Sequence, residues 1–185
     1  MSPDTAVQLF EGTYSAQPTA STFAFGVRHS GAFWFRGAFA EVTASLRGDG
    51  GGLVLEGAAS VDSISIVDPP EMRVSVLGGQ FFDAERHPEV TFRSTEVRLA
   101  DDGGAEVDGE LTIRGVTRPV AAVGHFSAPR QAGFAEVAGF DLRATIDRRD
   151  FGFDWQAELP GGGDAVGWEV EVNIDLLLLK DDGER

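Results

Sequence analysis

The side chains that most often carry chemistry are sparse in this chain and poorly spaced for it. His29, His87 and His125 stand at least 38 residues apart, with no HExxH or comparable ligand spacing, so each reads as a structural or surface histidine and no metal site is expected. There is no cysteine, which removes thiolate nucleophiles, zinc-thiolate sites and disulfides together. No GxSxG elbow occurs, and the remaining hydroxyls have no recognisable base arrangement. The glycine clusters GDGGG (48–52) and PGGGD (160–164) lack the Lys-Ser/Thr ending of a phosphate loop and carry acids that would repel phosphate, so they are turns. Asp147, Asp150 and Asp154 in DRRDFGFD suggest a carboxylate site, but Arg148 and Arg149 lie among them and solvated ion pairing is the plainer reading. The stretch LTIRGVTRPV (111–120) is open to two readings, an anion-binding loop around Arg114 and Arg118 or a joint between strands.

The elements around these residues are strands. In STFAFGVRH, Phe23, Phe25, Val27 and His29 share one face while Thr22, Ala24, Gly26 and Arg28 share the other, as a half-buried strand requires. In AFWFRGAFAEVTASL the apolar alternation through Phe35, Gly37 and Phe39 moves to Val42, Ala44 and Leu46, a slip of one residue that a bend or bulge near Gly37 or Ala40 would produce. Further strands are expected at LVLEGAASV, EVTFRSTEVRLA, AEVDGELTIRG, RPVAAVGHFSA, EVAGFDLRATI and VGWEVEVNIDLLLL, with a weaker opening strand at QLFEGTY. Only PPEMRVSVLGG, with prolines suited to a helix start and a glycine pair at its end, reads as a short helix, over about 69–78. Many one-faced strands with little helix to cover them leave a sandwich or a barrel, and a barrel of about eight strands has an interior that side chains just fill or that holds one small ligand.

Composition narrows the partners. The 185 residues are 42% hydrophobic, enough for one well-buried core and too few to argue for two, so a single domain is expected over 1–185. Thirty acids against fifteen bases give a formal charge of −15, a surface that repels phosphate backbones and anionic lipid headgroups, so nucleic acid is not an expected partner. No run approaches the ~20 apolar residues of a membrane helix, and stable membrane insertion is not expected. The first twenty residues carry no basic residue and no long apolar run, which sets the expected location as cytoplasmic.

At LTIRGVTRPV, with VDGELTIRG before it, FFDAERHPEVTF upstream and IDRRDFGF downstream, the sequence resembles the YceI-like proteins, a family of polyisoprenoid-binding, lipocalin-like barrels. The resemblance runs over about residues 12–179, and SxFAFxVRH followed by FRGAF is similar to the family's opening pair of strands. It implies an all-β fold, a closed antiparallel lipocalin-like β-barrel of about eight strands with one short helix. It also makes LTIRGVTRPV the corner between two strands, with Gly115 permitting the turn and Pro119 starting the next strand. Two positions depart from the family pattern. Ala20 stands where a histidine commonly precedes the serine of the first long strand, and Asp147 stands where an asparagine commonly precedes the late arginine. The segment SISIVDPPEMRVSVLGGQ departs as well.

The function implied by the resemblance is non-catalytic binding, carriage or sequestration of a long-chain isoprenoid or similar amphiphilic lipid, with no resident cofactor and a quinone-like lipid among the candidate ligands. The residues expected to line the pocket are Phe23, Phe25, Phe35, Phe39, Phe92, Leu111, Ile113 and Trp168, each on an apolar alternating face, with His29 placed to hydrogen-bond a head group at the mouth. The same positions also read as plain barrel core. The alternatives are an enzyme acting on such a lipid with a polar group at the mouth as general base, and a stress-response or structural barrel filled by its own side chains. The oligomeric state is open, with a homodimer among the options.

Overall fold

The computed structural model describes residue 2, residue 5 and residues 8–49 and 52–181. The middle of the GDGGG turn, Gly50 and Gly51, and residues 182–185 of the C-terminus lie outside the described residues. Ten antiparallel strands carry the fold: β1 (Gly12–Ala16), β2 (Thr22–His29), β3 (Phe33–Phe39), β4 (Val42–Asp49), β5 (Gly52–Ser60), β6 (Glu89–Leu99), β7 (Gly104–Ile113), β8 (Val116–Ala132), β9 (Ala135–Asp147) and β10 (Val166–Lys180). The helix α1 spans Pro70–Leu77, with Pro70 at its first position and Gly78 at its end, as its sequence predicts; Gln8 and Leu9 are also helical, so the expected strand at QLFEGTY starts only at Gly12.

These strands form an eight-course closed barrel. β10 pairs with β2 through Ile174↔Phe23 and with β1 through Leu178↔Ala16, so β1 and β2 are one interrupted course. β3 pairs with β2 and β4 pairs with β1, making a second interrupted course. With β5 to β10 the ten strands therefore make eight courses, and the β1–β10 ladder closes the ring. The β1–β10 ladder removes the unpaired edge that β1 would otherwise present, while β3 stays at the end of the strand order.

Both interruptions fall at the same height. Between β3 and β4 the Ala40 N–H donates to Ser63 O, and the Ser60 N–H donates to Glu41 O. Between β1 and β2 the Gln17 N–H donates to Leu177 O. The slip of one residue after Phe39 is this break: odd positions face inward in β3 and even ones in β4. Above the break, one edge of β3 is laddered to β2, while its other edge meets residues 63–65 through the Phe39↔Ile64 bridge and the Ala38–Ser65 bonds, and residues 61–88, including α1, cover the gap.

The stretch LTIRGVTRPV is a strand joint. Arg114 and Gly115 take φ of 53° and 71° in a two-residue hairpin turn between β7 and β8, the backbone that a tight right-twisted hairpin needs. A Cβ on Gly115 would stand 2.9 Å from the His87 ring. Both guanidinium arms of Arg114 donate to backbone carbonyls, Gly152 O at 2.6 Å and Gly79 O at 2.9 Å, tying three loops together. Pro119 does not start the strand; β8 begins at Val116, and Pro119 sits opposite Glu110 inside the ladder.

The barrel is filled at one end and hollow at the other. At the β1 end, Phe10, Tyr14, Leu46 and Leu178 are fully buried and pack with Leu53, Leu99 and Phe140. Phe10 meets the Tyr14 ring edge-on at 5.6 Å and lies 5.9 Å from Phe140, a preferred aromatic arrangement. Below this plug the Tyr14 hydroxyl donates to Glu136, and Lys180 Nζ reaches the same carboxylate at 3.2 Å. Burial and the Glu136 bond push the Tyr14 phenol well above its ordinary pKa, while the bonds from Tyr14 and Lys180 hold Glu136 below its own. An apolar floor thus ends in a small polar seal.

Candidate functional site: an apolar cavity with one mouth

Above the plug lies a cavity of about 370 Å³, within the range of small-molecule sites. Leu55, Val107, Leu142 and Leu176 belong both to the filled core and to the cavity wall, so they form its floor. The side wall comes from inward positions of β2, β3 and β10, among them Val170, Val172 and Ile174. Ile66, Met72 and Val76 from the 61–88 segment and Phe151, Phe153 and Trp155 from the loop after β9 complete it near the mouth. Met72 lines the cavity and is 39% exposed, which marks the opening.

Glycines keep the lumen clear. The Phe25 ring lies over Gly37 so closely that a Cβ there would stand 2.6 Å from Cζ. Phe92 lies over Gly109 in the same way, at 2.4 Å, and Phe23 approaches Gly57 at 3.2 Å. Each ring therefore folds flat onto a bare patch of wall instead of projecting along the barrel axis. Phe25, Phe39 and Phe82 also meet one another at centroid distances of 5.8 to 6.3 Å, a packed aromatic band beneath α1.

Eight of the nine residues singled out from sequence, Phe23, Phe25, His29, Phe35, Phe39, Phe92, Leu111 and Ile113, stand on the cavity wall. Trp168 does not. The ladder shifts register between Val166 and Val170, so Trp168 falls out of step with the inward positions of β10 despite its spacing. Its indole donates to Asp164 at 2.7 Å, and the guanidiniums of Arg148 and Arg149 lie 4.2 and 4.9 Å from its ring centroid. Alternation could not find Phe81, Phe82, Phe151, Phe153 or Trp155, because they sit in loops and a short 3-10 turn with no period-two pattern. The aromatic pair in FFDAERHP and the phenylalanines in DFGF were the available signal.

Polar groups gather near the mouth. His29 is half-buried, its Nδ1 is 3.0 Å from the Ser30 hydroxyl, and its ring stacks on Phe33 at 5.0 Å. Arg148, 5% exposed, donates to Gly167 O, Phe153 O and Val166 O at 2.8, 2.6 and 3.3 Å. Burial pulls its pKa below the usual arginine value, partly offset by Asp147; the group binds the loop after β9 to the start of β10. Asp147 is engaged with Arg149 on the outer surface and caps its backbone N–H at 2.9 Å, and these contacts hold its carboxyl below the ordinary range. DRRDFGFD is therefore an ion-paired, loop-fixing segment. No group of three or more metal-ligating side chains occurs among the described residues.

Comparison with known proteins agrees with this geometry. The YceI-like domain matches residues 14–178. A UPF0312 protein of Pseudomonas aeruginosa is 31% identical over 140 residues, covering 69% of this chain and 68% of that protein. A UPF0312 protein of Pseudomonas putida is 35% identical over 78 residues, and that match spans 41% of its length. Among solved structures, Burkholderia cenocepacia BcnA superposes with a TM-score of 0.71 at 22% identity, covering 88% of this chain and 98% of that one. A polyisoprenoid binding domain from Saccharophagus degradans, implicated in plant cell wall breakdown, superposes at 0.66 and 13% identity, covering 91% and 98%. The barrel, its course of strands and the domain match over nearly its whole length together make this chain a member of the YceI-like domain family.

Proposed function

We propose that this protein binds and carries, or sequesters, a long-chain amphiphilic lipid of the isoprenoid type, held tail-down in the barrel without catalysis. The observation that carries the reading is the cavity itself, about 370 Å³, walled by phenylalanine and aliphatic side chains and opening at one end. Family membership and the likeness to a polyisoprenoid binding domain support a lipid ligand. The energetics select for length: at ~0.8 kcal/mol per buried methylene, fifteen supply about 12 kcal/mol, against an association cost of roughly 4–15 kcal/mol. Short amphiphiles bury fewer methylenes and bind correspondingly more weakly.

Binding is favoured over chemistry by the state of the charged groups on the wall. The Glu56 carboxylate is engaged by Arg47 and Arg93 outside the barrel, and Arg148 is committed to three carbonyls. Among the described residues His29 contacts Ser30 and Phe33 and makes no hydrogen bond or ion pair to an acid that would complete a general-base arrangement. The test is organic extraction of the purified protein followed by mass spectrometry, with titration of a polyprenyl alcohol into the stripped protein. A co-purifying long-chain lipid and saturable micromolar binding are expected; an empty barrel that takes up no long-chain lipid overturns the reading.

A further inference from the structure

We infer that the mouth of the barrel docks on a phospholipid bilayer surface, with the β2–β3 hairpin as the contact. This rests on the lipid-binding reading only in supplying a reason for the contact; the surface itself is read from separate residues. The inner face of the hairpin extends the cavity wall outward, because Phe35 and His29 line the cavity and Phe33, stacked on His29, is 54% exposed beyond them. The outer face carries Arg28 and Arg36, both exposed, with their guanidiniums 4.3 and 5.5 Å from the Trp34 ring centroid.

Three features distinguish this surface from the rest. Arg47, Arg86, Arg93, Arg98, Arg143 and Arg149 each pair with a carboxylate, and Arg73, Arg114 and Arg148 bond to backbone carbonyls. Arg28, Arg36 and Arg130 do neither among the described residues, in a chain of formal charge −15, and of the three only Arg28 and Arg36 share an aromatic ring, that of Trp34. Unpaired guanidiniums beside an indole match the phosphate and interfacial layer of a bilayer, where arginine takes phosphate bidentately and aromatic rings settle at headgroup depth. Second, six large hydrophobic residues are markedly exposed among the described residues, and four of them, Phe33, Val67, Met72 and Val74, lie on the two segments that frame the mouth. Third, the hairpin that carries the cationic outer face also gives His29 and Phe35 to the cavity wall, so a docked barrel faces the bilayer with its cavity.

The charge of the rest of the chain sets the kind of bilayer. Glu171 lies opposite Gly26 on neighbouring β10, and exposed Asp68 and Glu71 stand between Val67 and Met72 at the mouth, so a zwitterionic surface accepts the hairpin where an anionic one would be repelled. The experiment is flotation of the full chain with phosphatidylcholine vesicles at 0.1 M salt. The wild type is compared with Phe33→Ser and with the Arg28→Gln/Arg36→Gln pair, each checked for an unchanged melting temperature and unchanged uptake of a detergent-delivered polyprenyl alcohol. Wild-type flotation is expected, with vesicle affinity reduced about ten-fold or more in each variant, as loss of an inserted aromatic or of two headgroup contacts implies. Absence of wild-type flotation, or flotation equal in wild type and variants, overturns the inference. A concentration-dependent dimer dispersed by the same substitutions would assign the hairpin to a second copy of the chain and also overturn it. A protein that floats but carries no lipid would sink the carriage reading while leaving the docking surface intact.

Discussion

A glycine beneath an aromatic ring controls how much of this barrel is open. Because a Cβ on Gly37 would stand 2.6 Å from the Phe25 ring, Gly37→Ala must lift that ring off the wall and into the lumen. Affinity for a long polyprenyl ligand should fall at least ten-fold, at a stability cost below the ~1–3 kcal/mol of overpacking a filled core. Isothermal titration and thermal melting on the same samples separate the two effects. Phe25→Trp and Phe39→Trp should act in the same direction, and strong destabilisation by both would mean the space is not available. At the sealed end, the Tyr14 phenol is raised by burial and by its bond to Glu136. Its contribution to stability is present below the ordinary phenol pKa of about 10 and lost as the pH climbs above it. Glu136, held low by the bonds from Tyr14 and Lys180, contributes above the ordinary carboxylate value of about 4.3 and loses its share on acidification. Melting temperatures followed from pH 3 to pH 11 should decline at both limits, and Tyr14→Phe should remove the alkaline decline.

Among the elements, the regular strands were readable from sequence and the irregular ones were not, for a physical reason. Inward phenylalanines at 23, 25, 35, 39 and 92 announce themselves by alternation, because a strand wall exposes every second side chain to the lumen. Phe81, Phe82, Phe151, Phe153 and Trp155 reach the same lumen from loops, where nothing forces a period. Trp168 reverses the case, since a register shift in β10 breaks the alternation that its spacing obeys. The slip after Phe39 was legible as a bend, but its use was not: it opens the wall above Ile64 and leaves residues 61–88 as a patch over the gap. That patch is held by a small cluster around Ile64, Ile66 and Val76 rather than by a continuous ladder. Amide hydrogen exchange should therefore be faster across α1 than across β6 to β9. Val76→Ala should widen the difference, at a cost of about 1–2 kcal/mol for a partly collapsible site. The Arg114-Gly115 turn is the opposite kind of element, fixed on every side. Gly115→Ala places a methyl group against His87 in a backbone of positive φ, and a loss of about 1–2 kcal/mol in denaturant unfolding is expected.

For the molecule as a whole, thirty acids against fifteen bases predict no binding to duplex DNA, and retardation assays at moderate salt should show no shift. The more consequential global property is that, among the described residues, one end of the barrel is plugged and the other holds the cavity. The plug of Phe10, Tyr14, Leu46 and Leu178, sealed by Glu136 and Lys180, turns the tube into a blind bore. A blind bore acts as a depth gauge. Each added methylene deepens insertion and should raise affinity about four-fold, at ~0.8 kcal/mol apiece, until the tail touches Leu55, Val107, Leu142 and Leu176. Beyond that length further carbons stay outside, and a plot of log affinity against chain length should bend to a plateau. On the proposed lipid-binding function the same dead end dictates traffic: entry and exit share one doorway, so a lipid in the bore would have to back out past Met72 before a successor is admitted.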